Sequence, residues 1–462
     1  MISSGYVLAG FETLATIVDN FFKGKRGRWE ENFTREQMSN FLSNINSGYL
    51  HSYGQDFPGK KKYDKYNQKE TELFTKCRNM RIFDNANLIA DSGGFQISIG
   101  KLTRRESELL FNMYYQWLEE SYKVYDFAFI LDIPPGPGCK IFRDFKDVHD
   151  WNLLSYQKAV NLPQHVKDKI IYIHHFRTPQ LWDIYTRLLR ENAFFPHFEY
   201  HGCGGVVANM SGDMSIPCII YVLPLIPLIN ECIKYGRDYL NFHILGGANF
   251  RDILFYELFR VTVKQQHNID LNITYDSSGI YKQVMHARFI HVTNRFGHVK
   301  KMNIKSDNLD KQFYDELYIV EDMFEKILNE CARKYGFKEI SVDGVYDDTT
   351  NTFHEDVKVY SILYTLDIYS KLQEGMRQFA SKAYPVYEAG DVEVFNEMCL
   401  ETTKVLNQGN ITKKQRIKSH SISKSLDMLR DLDEDYCKYI IDKSLAKDEF
   451  VDLEKPQGIH FF

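Results

Sequence analysis

The chain contains no C-x-x-C or C-x-C pair, although eight cysteines are scattered over its 462 residues. This removes the paired-thiolate spacing of a zinc knuckle, and thiols spread so widely in a long chain do not read as a disulfide framework. Long hydrophobic runs are missing as well. The longest, Ile216 to Ile229, carries three prolines and falls short of a bilayer span. A basic excess is also absent: the net charge is −5, so any grip on nucleic acid depends on local patches. With no leader-like start either, these absences predict a soluble, cytoplasmic protein of a reducing compartment, with no membrane partner.

What is present looks like a large enzyme. Hydrophobic residues make up 44% and charged residues 26%, ordinary for a globular chain, and the length calls for one large domain plus an appended one. Aromatic content is high at 15%, which supplies mainly core, with some rings available to stack on bases. Residues 1–295 repeat one grammar: a short apolar run ends in Gly, Asp, His or Asn, and a polar or helix-like stretch follows. The runs are 6–11, 49–53, 87–91, 127–132, 170–175, 199–207, 241–246 and 272–276, with helical patterns such as 104–125 and 179–192 between them. Apolar runs of this kind suit parallel strands covered on both faces. Eight of them alternating with helices predict an α/β fold, a (β/α)8 TIM barrel, with a doubly wound open sheet as the alternative. Residues 296–462 change to amphipathic helical stretches, 315–334, 356–380, 392–406 and 421–446, and predict a mostly helical C-terminal region that can contact nucleic acid.

Four strand ends carry the chemistry. Asp91-Ser92-Gly93-Gly94-Phe95-Gln96 follows the third run and combines a carboxylate, a hydroxyl and backbone that a planar ligand can approach closely. The same residues also suit a tight βα turn capped by Asp or Ser. Asp132 precedes a Pro/Gly loop and is suited to accept from N1–H and the 2-amino group of a guanine-like base, or from nearby backbone. Gly204-Gly205-Val206 offers amides to a carbonyl oxygen, or packs a helix on a strand. Asp276, after Tyr275, is a third strand-end acid, placed as the nucleophiles of retaining glycosidases are.

The order and spacing of these islands resemble the tRNA-guanine transglycosylase superfamily. DSGGFQ at 91–96 matches that family's signature verbatim, Gly204-Gly205-Val206 resembles its base-reading segment, and Leu245-Gly246-Gly247 resembles the strand end that walls the pocket. The resemblance runs as islands over residues 85–285. It implies Asp276 as nucleophile, Asp91 as general acid then base, and Asp132 as reader of the base. Ser92, Gly93, Gly94, Phe95, Gln96, His174, Gly204, Gly205, Val206, Leu245 and Gly246 complete the implied substrate site. The family's Cys-x-Cys-x-x-Cys plus His zinc site is missing, and His174-His175-Phe176 stands where the tRNA enzymes carry Gln-Gly-Gly. These departures make the chain most similar to the 7-deazaguanine DNA transglycosylases of bacteriophages and bacterial modification islands.

The implied partners are DNA, with tRNA as the alternative, a free 7-deazaguanine base and accessory DNA-modification proteins. A phage-encoded chain would work in the host cytoplasm. No cofactor is expected; a histidine-based zinc site from His174, His175, His201 and His243 is the minor alternative. Arg104, Arg105, Lys282, Arg288, Lys413 and Lys414 are the candidate phosphate contacts, although such clusters also serve as solvated surface. A tRNA enzyme without zinc and a non-catalytic nucleic-acid-binding paralogue are the competing functions.

Overall fold

The computed structural model describes residues 5–8, 48–53, 87–98, 100–134, 145–191, 194–204, 217–247, 250–277, 289–293, 299–303, 323–339, 346–347, 352–353, 355–406 and 413–445, with single positions at 34, 36–37, 40–41 and 141. It is an α/β protein built on one curled parallel sheet. The strands are β1 (Gly5–Leu8), β2 (Gly48–Ser52), β3 (Leu88–Asp91), β4 (Phe127–Phe129), β5 (Ile170–His174), β6 (Tyr200–Cys203), β7 (Tyr239–Ile244) and β8 (Asp270–Ser277). They pair in chain order, all parallel, and β8 pairs back onto β1. Each falls on one of the eight apolar runs. The run at 127–132 is shorter as a strand than the pattern suggests: β4 stops at Phe129, and Asp132 N–H donates to Ile130 O at 2.9 Å.

In the described residues, helices follow β3 to β7. Those of five residues or more are α1 (Gly94–Ser98), α2 (Arg104–Glu120), α3 (Phe145–Val160), α4 (Pro179–Glu191), α5 (Pro217–Val222), α6 (Leu225–Tyr235) and α7 (Phe250–His267). α2 starts where a capping box satisfies its first amides: Thr103 Oγ1 accepts from Glu106 N at 3.3 Å, and Glu106 Oε2 accepts from Thr103 N at 2.7 Å. The proline-interrupted run forms α5 and α6. The overlapping stretch Cys218–Tyr235 is apolar and long enough to cross a membrane by length and composition alone, but 78% of it is buried inside the protein.

Beyond the sheet lie α8 (Met323–Lys334), α9 (Glu355–Glu388), α10 (Val392–Leu406), α11 (Lys413–Asp431) and α12 (Glu434–Ile440). The last expected helix, 421–446, is divided: Leu432 takes a left-handed φ of 52° and Asp433 caps the next helix by accepting from Tyr436 N at 3.0 Å. Two antiparallel strand pairs, Phe289–Thr293 with Val299–Asn303 and Tyr346–Asp347 with Thr352–Phe353, were not legible in the sequence pattern. The C-terminal helices dock on α7. Buried Glu257 receives Arg260 at 2.7 Å, with Arg377 of α9 at 3.6 Å, and His267 contacts Leu429 O at 2.7 Å.

Alternation along the strands decides which side chains face inward. Register partners in a parallel sheet share a face, so Asp276 shares its face with Val7 and Gly48, Ser52 with Asp91, and Gly202 with His243 and Thr274. Ring contacts show this to be the inner face. Phe127 meets Tyr200 at 4.7 Å and Phe129 meets His243 at 4.9 Å, each bridging non-neighbouring strands across the interior.

Candidate active site

Asp91 and Asp276 end β3 and β8, and both lie on the inner face at the C-terminal rim. Register partners carried strand by strand from Asp276 through Val7 and Gly48 lead round to position 268, eight residues earlier in the chain. Spread over eight strands, this stagger is about one residue per strand, which sets the two carboxylates within about one residue of the same height.

Asp276 is held on one oxygen. Its Oδ1 accepts from Gly246 N at 2.8 Å and lies 3.3 Å from His243 Nε2; among the described residues no contact is made by Oδ2. The Gly246 amide reaches it because the turn after β7 takes a φ of 77°, a conformation that favours glycine. The other ring nitrogen of His243, Nδ1, lies 2.9 Å from Thr274 Oγ1.

Asp132 approaches the same rim on the loop after β4. A Cβ built on Gly94 would stand 1.6 Å from the Asp132 carbonyl oxygen, so the second glycine of DSGG lets the β3 turn lie directly against the Asp132 backbone. Asn152 of α3 braces that loop, accepting from Ile133 N at 2.8 Å and donating to Ile133 O at 3.0 Å. The Asp132 carboxylate is buried, with Oδ2 3.1 Å from His175 Nε2. That pair is close enough for ion pairing but is not aligned as a hydrogen bond, and His175 Nε2 has no hydrogen-bond partner. A Cβ on Gly204 would lie 3.1 Å from His175 Cε1 and 3.5 Å from Asp132 Oδ2, so the missing side chain leaves a slot beside both groups. Tyr114, under the β3–β4 edge, donates to Phe129 O at 2.6 Å. Burial, and then the charge of Asp91 with a smaller contribution from Asp132, holds its phenol well above the usual range.

The rest of the expected site divides. Ser92 is buried and its Oγ accepts from Gly94 N at 3.3 Å, which supports the turn; Gly93 adopts a φ of 89°. Phe95 is exposed, whereas Gln96 is buried with Oε1 unpartnered. Leu245 and Gly246 form the turn beside Asp276, and Tyr256 OH donates to Gly247 O at 2.7 Å behind it. His174 does not face the rim. Alternation turns it outward, where it packs on Tyr185 of α4 and meets His201 Nδ1 at 3.0 Å; its neighbour His175 takes the inward place. Burial pushes both outward imidazoles down, His174 well below the usual histidine value and His201 to about 3. A cavity of about 40 Å³ lies behind Asp132, lined by His149, Asn152 and Tyr185 among others.

Gly205, Val206, Lys282 and Arg288 lie outside the described residues, as do the side chains of Lys413 and Lys414, which begin α11. Arg105 is exposed at the start of α2. Arg104 is committed to the protein: it pairs with Glu108 at 3.1 Å and Asp147 at 3.0 Å, and lies 5.1 Å over the Trp151 ring. Among the described residues no group of three or more His, Cys, Asp or Glu side chains is placed to hold a metal. The four histidines of the zinc alternative are split between the two sides of the sheet.

Sequence reasoning missed His243, Thr274 and Asn152 as supports of the site. The signal was present in Asn241-x-His243 and Asn272-x-Thr274-x-Asp276, polar residues at alternate positions of strands that otherwise read as apolar. No protein-family model matches the chain, and no curated protein matches it. The chemistry of the rim therefore stands on its own residues.

Proposed function

We propose that this chain is a base-exchange transglycosylase of (β/α)8 architecture, replacing guanine in DNA with a 7-deazaguanine. The barrel reading draws on the all-parallel order, the return of β8 to β1 and the stagger of eight residues, which is that of eight-stranded α/β barrels. The observation that carries the chemistry is the pair of inward carboxylates, Asp91 and Asp276, at one height of the C-terminal rim. The Asp132 loop is locked to the DSGG turn beside them.

In this reading the target base is turned out of its stack, at a cost of about a few kcal/mol when paired. Asp132 accepts from its N1–H and 2-amino group. Asp276 Oδ2 bonds to C1′ as the C1′–N9 bond breaks; the bonding pair leaves with the base, which takes a proton from Asp91. The incoming 7-deazaguanine then gives its N9 proton to Asp91 and displaces Asp276, so two inversions retain the anomeric configuration. Conservation of the glycosidic bond explains how exchange proceeds without ATP, provided water is kept out.

The test is exchange of labelled guanine into DNA and tRNA by the wild type, Asp276→Ala and Asp276→Asn, with nucleoside analysis of both polymers from expressing cells. We expect a 7-deazapurine nucleoside in DNA and loss of exchange in both variants. Label in tRNA alone would transfer the activity to tRNA. Full activity in either variant would remove Asp276 as nucleophile.

A further inference from the structure

His243 is buried at the inner face, one alternate position below the rim, and both of its ring nitrogens are engaged: Nε2 with Asp276 Oδ1 at 3.3 Å and Nδ1 with Thr274 Oγ1 at 2.9 Å. An ionised carboxylate only accepts, so Nε2 must carry the proton; a neutral ring then accepts the Thr274 hydroxyl proton at Nδ1. No ring atom is left to offer a substrate, which rules out a general base and leaves a role exercised through Asp276. The ring is further fixed by Phe129, whose centroid lies 4.9 Å away.

We infer that His243, oriented by Thr274, is a positioning residue that tunes Asp276 as the leaving group of the second displacement, a role that rests on the base-exchange reading. Two N–H groups, from Gly246 and His243, converge on Oδ1, while Oδ2 makes no described contact and is the oxygen that bonds C1′. In the covalent intermediate Oδ1 is a neutral ester carbonyl. When the incoming base forms its bond to C1′, the C1′–Oδ2 bond breaks and its electron pair returns to the carboxylate, so negative charge reappears on Oδ1. Donors aimed there bind the carboxylate more strongly than the ester and accelerate that departure. Loss of the His243 donor therefore slows release of the sugar far more than its capture.

The experiment uses the full chain as wild type, His243→Leu and His243→Gln. Each is mixed with an oligonucleotide substrate and free 7-deazaguanine base, and the covalent protein–DNA adduct is quantified on denaturing gels beside the rate of exchange. His243→Leu is expected to slow exchange about 10- to 100-fold, the loss of one charge-assisted hydrogen bond, while the trapped adduct rises. His243→Gln, which keeps an N–H, is expected to recover most of the rate. Exchange by His243→Leu at the wild-type rate overturns the inference; so does equal loss in both variants with no adduct, which is the mark of a structural role. A readout independent of activity separates this from failure of base exchange. In ¹⁵N-histidine NMR of the wild type, His243 is expected as the Nε2–H tautomer, and Asp276→Ala is expected to shift that resonance. A wild type that exchanges nothing but shows this tautomer and shift defeats the base-exchange reading alone, whereas an Nδ1–H tautomer defeats the positioning role.

Discussion

Substitution of Gly94 by alanine is the most direct perturbation of the rim, because the new methyl would have to occupy space held by main chain. The added Cβ would stand 1.6 Å from the Asp132 carbonyl oxygen and 2.8 Å from its carbon, where real contacts do not fall below 3.0 Å. The DSGG turn and the Asp132 loop must therefore separate by about 1.4 Å or more, the difference between those distances. Neither side yields freely: Ser92 supports the turn, and Asn152 holds Ile133 through two hydrogen bonds. Overpacking of this kind costs about 1–3 kcal/mol, a fall in melting temperature of roughly 1–5 °C for a unit of this size. The functional loss should be larger, since a displacement of about 1 Å in a reacting constellation costs on the order of 100-fold. Differential scanning fluorimetry and labelled-guanine exchange measure the two effects. Gly100→Ala is the control: its φ of 72° imposes strain, but nothing lies within 4 Å of the added methyl, so stability should fall while exchange persists. If Gly94→Ala kept both the melting temperature and the exchange rate of the wild type, the contact between the DSGG turn and Asp132 would not be what assembles the rim.

Three further outcomes are expected. Asn152→Ala should cost about 2–3 kcal/mol in chemical denaturation by stripping two hydrogen bonds from Ile133, and should raise KM for the free base more than it lowers kcat; an unchanged KM would make Asn152 a mere fold element. Gly246→Ala forces an L-residue to a φ of 77°, a strain of about 1–2 kcal/mol, and disturbs the amide on Asp276, so kcat should drop with KM held; a normal kcat would show that this amide is dispensable. His201 is buried neutral and its imidazole is pushed down to about 3. Its depressed value means the unfolded chain binds the extra proton, so its contribution is intact above about pH 6.5 and is lost on acidification, at about 1.4 kcal/mol per pH unit between there and the folded value. Urea titrations between pH 7 and 5 should show that slope flatten in His201→Asn; an identical slope would place the acid sensitivity elsewhere, His174 being the first neighbour to test.

Much of the frame was readable from residue order because parallel strands buried on both faces must be apolar throughout, and each of the eight runs became a strand. The glycines of the DSGG turn were equally legible, since their requirements are met within a few residues. Asp91 and Asp276 were picked out by the same local logic, as acids at strand ends. What linear order could not supply was the direction of each side chain and the meeting of distant segments. Period-two alternation turned His174 outward to His201 and brought His175 in beside Asp132, a one-residue difference that composition does not reveal. The break at Leu432 was invisible because its left-handed backbone is carried by a residue that normally avoids it, held there by tertiary packing. Only the closing of β8 onto β1 set Asp276 and Asp91 at one height. Only the Gly94–Asp132 contact, between backbone atoms of segments about forty residues apart, brought Asp132 against the turn that follows Asp91. Local interactions chose the elements, while long-range packing and register, which no short window contains, decided what the elements aim at.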